Sequence, residues 1–107
     1  MKGQALKGHL DVLLLTSLER GQRHGYAIAE WLAARSEGEL KLAAGTLYPA
    51  LHRLEEDGLV RASWQTPSGE RRRRVYALTK KGERVLAERQ NEWIAFARVM
   101  NAVLEGS

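Results

Sequence analysis

The chain has 107 residues, the size of one domain and near the lower end of what buries a core unaided, so a second subunit would add stability. It contains no cysteine, which excludes disulfides and thiolate metal sites and suits a reducing compartment. The formal net charge is only +4, but residues 59–84 hold eight basic side chains against Glu70 and Glu83, a local +6 that leaves −2 over the remainder; such a concentration marks a polyanion partner, usually nucleic acid and less often an anionic membrane surface.

In the N-terminal stretch MKGQALKGHLDVLLL the apolar run is interrupted by His9 and Asp11, and no small-residue cleavage site follows. No apolar run reaches the roughly 18 residues of a membrane helix. The expectation is a soluble, cytoplasmic protein with no membrane partner. Leu10, Leu13, Leu14 and Leu18 recur at helical spacing and Arg20-Gly21 stops them, which predicts a first helix. HGYAIAEWLAARSEG predicts a second of about 12 residues, with Ile28, Ala29 and Leu32 on one face and Gly38 closing it. The alternation in ELKL, Glu39 to Leu42, predicts a brief strand.

AAGTLYPALHRLEEDGLV predicts a third helix. Leu47, Leu51, Leu54 and Gly58 line one face, and Pro49 is tolerated only near a helix start, so the helix begins around Ala44 to Thr46. After Gly58 the period falls to 2: Val60, Ala62 and Trp64 alternate with Arg61, Ser63 and Gln65, Pro67-Ser68-Gly69 turns the chain, and Arg71 to Leu78 return as a second strand. On that strand Arg72 and Arg74 share a face with Tyr76 and Leu78, and Arg71 and Arg73 share the other with Val75 and Ala77. Only one alternate pair can then point squarely at a DNA backbone, and the pattern leaves open which. Thr79 is an N-cap for a last helix whose apolar stripe runs through Val85/Leu86, Trp93, Phe96/Ala97, Met100 and Val103/Leu104.

Two short helices with a hairpin behind them are the order of a winged helix-turn-helix domain, in which the N-terminal residues of the recognition helix enter the major groove and the hairpin touches flanking backbone. The predicted fold is α+β, mostly α: a winged helix-turn-helix domain over residues 1–78 with a two-stranded wing, and a long C-terminal dimerisation helix over 79–107, forming one continuous unit. The third helix presents Thr46, Pro49, His52 and Arg53 outward with Tyr48 at its edge, whereas Glu55, Glu56 and Asp57 crowd its other end and would be repelled by phosphate. Taken alone this is equally an ordinary surface helix; the basic hairpin tips the reading to double-stranded DNA. The DNA-binding candidates are Lys41, Thr46, Tyr48, Pro49, His52, Arg53, Arg71, Arg72, Arg73, Arg74, Lys80 and Lys81. The two lysines sit in the first turn of the last helix, where each cation opposes the helix dipole by roughly 0.3–1 kcal/mol, so they either face an external anion or merely solubilise. Leu86, Trp93, Ala97, Met100 and Leu104 follow a heptad rhythm that suits pairing with a second copy, with Leu86, Trp93, Phe96, Met100 and Leu104 as the dimerisation candidates, and hence a pseudo-palindromic operator. Trp93, with Ala97 and Met100, is either packing or a stacking surface for a small aromatic ligand. Trp31 and Trp64 are assigned to core edges. His9, His24 and His52 lie in separate elements without clustered carboxylates, and no nucleophile elbow, phosphate loop or HExxH pattern appears; no metal, cofactor or enzymatic activity is expected. The rival reading is a winged-helix module whose basic ribbon meets an acidic protein.

HGYAIAEWL, GTLYPALHRLEEDGLV with the hairpin behind it, and RRRRVYALTKKG resemble, in that order, the helix-two, helix-three and wing-junction segments of the PadR family of bacterial transcriptional regulators. The likeness covers roughly residues 5–104. It implies a winged helix-turn-helix dimer that represses its own or neighbouring genes, of the short form with a single C-terminal helix. In some short members a tryptophan of the last helix lines a dimer-interface pore for flat aromatic compounds, and Trp93 in NEWIAFARVM matches that position. One departure is Ala43-Ala44, where many members place a serine near the start of helix three, which puts the cap, or a phosphate contact through it, in doubt.

Overall fold

The computed structural model describes residues 9–69 and 71–106; the first eight residues of the expected domain, with Glu70 and Ser107, lie outside the described residues. In chain order the elements are α1 (Leu10–Ser17), β1 (Arg23–His24), α2 (Gly25–Arg35), α3 (Ala44–Glu56), β2 (Val60–Gln65), β3 (Arg73–Leu78) and α4 (Lys80–Glu105). The leucines of α1, Ile28 and Leu32 of α2, and Leu47, Ala50, Leu51 and Leu54 of α3 meet in one core. Val60 and Tyr76 close it from the sheet, and Leu86 closes it from α4.

The sheet has three antiparallel strands in the order β1-β3-β2, not the two expected. The added strand is two residues long and pairs Arg23 with Tyr76 and His24 with Val75. Two residues carry no readable alternation, so only the tertiary pairing makes them a strand. Between β2 and β3 the register sets Val60 against Leu78, Ala62 against Tyr76 and Trp64 against Arg74. One face therefore carries Val60, Ala62, Tyr76 and Leu78 onto the helices and continues outward to Trp64 and Arg74.

Three further expectations need correcting. Residues 39–42 form no strand: the Leu40 N–H donates to Ser36 Oγ at 2.8 Å, and Leu40 and Leu42 turn onto the core. The returning strand begins at Arg73 rather than Arg71, so strand alternation does not govern Arg71 and Arg72. Trp64 is no core-edge residue, since it stands 53% exposed where β2 has run past the last core residue that can cover it.

Turning from β3 into α4, Thr79 caps the helix by accepting from the Gly82 N–H at 3.0 Å and itself donates to the Gly58 carbonyl at 2.6 Å. A side chain at Gly82 would collide with the Leu59 carbonyl oxygen, so glycine is what lets α4 start flush against the end of α3. Farther along, α4 packs on α1 through Arg89 and Asp11 (3.7 Å), Gln90 and Thr16 (3.4 Å), and the Trp93 and His9 rings (centroids 4.7 Å apart). Leu86, expected on the dimer seam, is 2% exposed and belongs to the chain's own core. Beyond it Trp93, Ile94, Phe96, Val99, Met100, Val103 and Leu104 are all exposed.

Candidate nucleic-acid interface

The core stripe of α3 leaves its opposite side in solvent, and Thr46, Tyr48, Pro49, His52 and Arg53 are all exposed there, as is Lys41 in the preceding coil. Ala43 is the N-cap and provides no side-chain hydrogen bond. Its carbonyl accepts from Thr46 and Leu47, both at 3.0 Å. Pro49 is the sixth residue of α3 and denies the Gly45 carbonyl its helical donor. His52 lies 3.4 Å from Glu56 one turn on, in a solvent-exposed pair.

The wing stands beside α3, near Tyr48 in its second turn and Glu55 in its last. Between them, and over the start of α2, lies a concavity of about 580 Å³ lined by His24, Gly25, Tyr26, Tyr48, Trp64, Arg71, Arg72, Arg73, Arg74 and Tyr76. The sequence-predicted residues Tyr48 and Arg71 to Arg74, far apart in the chain, thus converge on one basic and aromatic surface. Gly25 makes part of this possible, because a Cβ there would stand 2.5 Å from Tyr48 Cε1; only a bare backbone lets the tyrosine ring lie against α2.

The four arginines have different surroundings. Arg74 Nη2 donates to both carboxylate oxygens of Glu55 on α3, at 3.2 and 3.0 Å. The hydrogen bond to that carboxylate holds the guanidinium above its ordinary pKa, against some desolvation. Trp64 is shared by two arginines, with the Arg72 guanidinium 4.8 Å and that of Arg74 5.4 Å from its ring centroid, a cation–π arrangement. Arg73 Nη1 lies 3.0 Å from His24 Nε2 on the outer face, while His24 Nδ1 accepts from the Ala27 N–H at 3.2 Å as the N-cap of α2. A neutral imidazole has a single acceptor nitrogen, so His24 serves Arg73 or Ala27 at any moment. Burial pushes the Tyr76 phenol up, and the neighbouring Arg74 charge partly opposes that.

Lys80 and Lys81 are not part of this surface. Lys81 Nζ donates to the Asp57 carbonyl at 2.9 Å, at the C-terminal end of α3 and about 18 Å along that helix from Ala44. A cation on the last carbonyls of a helix is the favourable orientation for its dipole. Sequence reasoning missed Glu55, Trp64 and His24, and the signal for each was positional. Glu55 follows Tyr48 by seven residues on the flank of α3 that turns to the wing, Trp64 continues the inward face of β2, and His24 directly precedes the α2 pattern. Among the described residues no group of three His, Cys, Asp or Glu side chains is placed to hold a metal, and no helix is long and apolar enough to cross a membrane.

A recognition helix open on its outer side, a short preceding helix against it and a basic antiparallel ribbon alongside define a winged helix-turn-helix protein. The profile of the PadR-like transcriptional regulator family matches residues 14–88, about 70% of the chain. The chain belongs to that family, which makes it a transcriptional regulator and not an enzyme. Among solved structures it is similar to a PadR-like transcriptional regulator (BC4206) from Bacillus cereus, with a TM-score of 0.85 and 26% identity, covering 98% of this chain and 100% of that one. A PadR family regulator from Clostridium difficile is 35% identical over 91% of this chain and 99% of that one, with a TM-score of 0.79. The transcriptional regulator Rv3488 of Mycobacterium tuberculosis is 41% identical over 66 residues, 62% of this chain and 48% of that protein. Bacillus subtilis PadR, solved in complex with operator DNA, shares the fold with a TM-score of 0.67, at 21% identity over 75% of this chain and 44% of that one.

Proposed function

We propose that this regulator is a homodimeric, cytoplasmic repressor that binds a pseudo-palindromic operator. The observation that carries this reading is the convergence of Tyr48 of α3 with Arg71 to Arg74 of the wing on one concave surface. In this reading Thr46, Pro49, His52 and Arg53 lie along the major groove, with arginine to guanine the favoured base contact. Tyr48 donates to a phosphate, Lys41 and the wing arginines supply charge, and the N–H groups at the uncapped start of α3 face the same backbone. Lys80 and Lys81 contribute long-range attraction only. Support from the Bacillus subtilis complex is limited to the fold it shares with this chain.

Dimerisation through α4 is supported by its open apolar stripe, in which Trp93 is 46%, Phe96 52%, Met100 39% and Leu104 73% exposed. A small aromatic effector would lie against Trp93, Ala97 and Met100 in that seam. The pairing of Trp93 with Phe96, ring centroids 5.6 Å apart, offers it a stacking surface. Binding there would change the spacing of the two recognition helices and release the DNA. Selection of bound fragments from genomic DNA tests the main reading, with a discrete palindrome near a promoter as the expected result; enrichment of no common site would refute it. Titration with hydrophobic aromatic compounds tests the effector, which requires both quenching of tryptophan fluorescence and release of the duplex.

A further inference from the structure

We infer that Glu55 and Arg74 form a latch that sets the wing against the recognition helix, making Arg74 a positioning residue and leaving phosphate neutralisation by the inner wing to Arg72. The inference rests on the DNA-binding reading above, and it reverses what charge alone predicts for both members of the pair. An acidic side chain on a recognition helix repels phosphate, so simple electrostatics makes Glu55 a liability and each wing arginine an asset.

The geometry assigns them otherwise. Arg74 gives both oxygens of one carboxylate a hydrogen bond from a single nitrogen, Nη2, at 3.2 and 3.0 Å, a charge-assisted contact stronger than a neutral one. Each side chain of the pair is only about one-third exposed, 36% for Arg74 and 31% for Glu55. The bridge crosses from α3 to β3 at the level where β2 and β3 have left the core, opposite the exposed Trp64. Trp64 then extends the arrangement, since Arg74 lies on its ring from one strand and Arg72, which precedes β3, lies on it as well. Glu55, Arg74, Trp64 and Arg72 are thus a chain of contacts from the recognition helix to the root of the turn. Arg74 has its guanidinium on Glu55 and Trp64, whereas Arg72 has no carboxylate on it among the described residues and presents its N–H groups to an external anion while the indole holds its plane.

The test is a salt titration of binding to a labelled DNA duplex of about three helical turns, long enough for two half-sites one turn apart, by the full chain and five variants. Glu55→Ala is expected to weaken binding about threefold to fivefold with the salt slope unchanged, although it removes a negative charge from the DNA-facing helix. Arg74→Ala should match it, also at unchanged slope, and the double variant should bind no worse than either single. Arg74→Lys keeps the charge but loses the planar guanidinium that meets Glu55 and lies on Trp64 at once, so a latch predicts behaviour close to Arg74→Ala and a phosphate contact predicts behaviour close to the unaltered chain. Arg72→Ala should lower the slope by about one phosphate per protomer. Tighter binding by Glu55→Ala, or a slope lowered by Arg74→Ala as by Arg72→Ala, would overturn the latch. Should the unaltered chain bind no duplex, the DNA-binding reading is what fails. Hydrogen exchange then decides the latch: faster exchange at Ser63–Gln65 and Arg73–Val75 in Glu55→Ala with α4 unchanged supports it, and unchanged wing exchange overturns it.

Discussion

Single positions in this protein do work that their residue types conceal. Gly25 is the backbone on which the Tyr48 ring lies. The atoms a methyl group would strike are the far end of a side chain that can swing aside, so Gly25→Ala is expected to leave the melting temperature within a few degrees, a change of under about 1 kcal/mol. On the proposed DNA-binding reading the displaced phenol would lose a hydrogen bond to phosphate, an interaction with a charged group worth about 1.5 kcal/mol or more, or roughly tenfold in affinity. Thermal unfolding beside fluorescence-anisotropy titration separates the two effects. Tyr76 makes a prediction about pH. Its folded pKa is raised above the ordinary value near 10 by burial, so the neutral phenol stabilises the fold below that pH and the contribution is lost as pH rises through the folded value. Melting temperature followed from neutral to strongly alkaline pH should fall less steeply for Tyr76→Phe than for the unaltered chain; equal slopes would assign the alkaline decline to other groups.

At the level of elements, α4 has two jobs along one stripe. Its first turns bury Leu86 in the core beside Leu59 and Val60, while the apolar residues from Trp93 onward are exposed. The cause is length: 26 residues of α4 extend about 39 Å, and the eight residues of α1 cover only about 12 Å of that. The heptad spacing made Leu86 and Leu104 look equivalent, and they should separate on substitution. Leu86→Ala opens the core and should cost about 2–5 kcal/mol of folding stability. Leu104→Ala should leave the unfolding of the single subunit nearly unchanged and weaken dimerisation instead, as sedimentation velocity over a dilution series would show. Trp93→Lys places a charge in the seam and is expected to yield a folded monomer that binds the duplex poorly. A dimer of undiminished affinity in that variant would move the interface elsewhere. The α3 and wing elements read differently. Thr46 to Arg53 were identifiable from the helical period because an exposed face is the complement of a buried stripe. The partners of the wing arginines were not, because cross-element ion pairs have no signature in local spacing.

For the whole molecule, the distribution of charge outweighs the total. If each protomer neutralises about three phosphates, a dimer has a logarithmic salt slope near −5, and affinity falls about a thousandfold from low to physiological salt. A titration across that range checks this, and a flat response would exclude a phosphate-dominated interface. What the sequence determined alone is what local periodicity and punctuation encode. The change from period 3.6 to period 2 at Gly58, the caps at Gly58 and Thr79, the apolar stripes of α3 and α4 and the basic excess over residues 59–84 all follow from chain-neighbour geometry and survive into the structure. Tertiary structure decided whatever depends on residues distant in sequence meeting. It made Arg23–His24 a strand, brought Glu55 to Arg74, laid Arg72 on Trp64, and sent Lys81 to the end of α3. It also divided the α4 stripe between the chain's own core and an open face. The four arginines show the difference most directly. Their number and order were plain in the sequence, but what each guanidinium touches depends on α2, α3 and β2, and strand alternation describes only the part of the run that is paired.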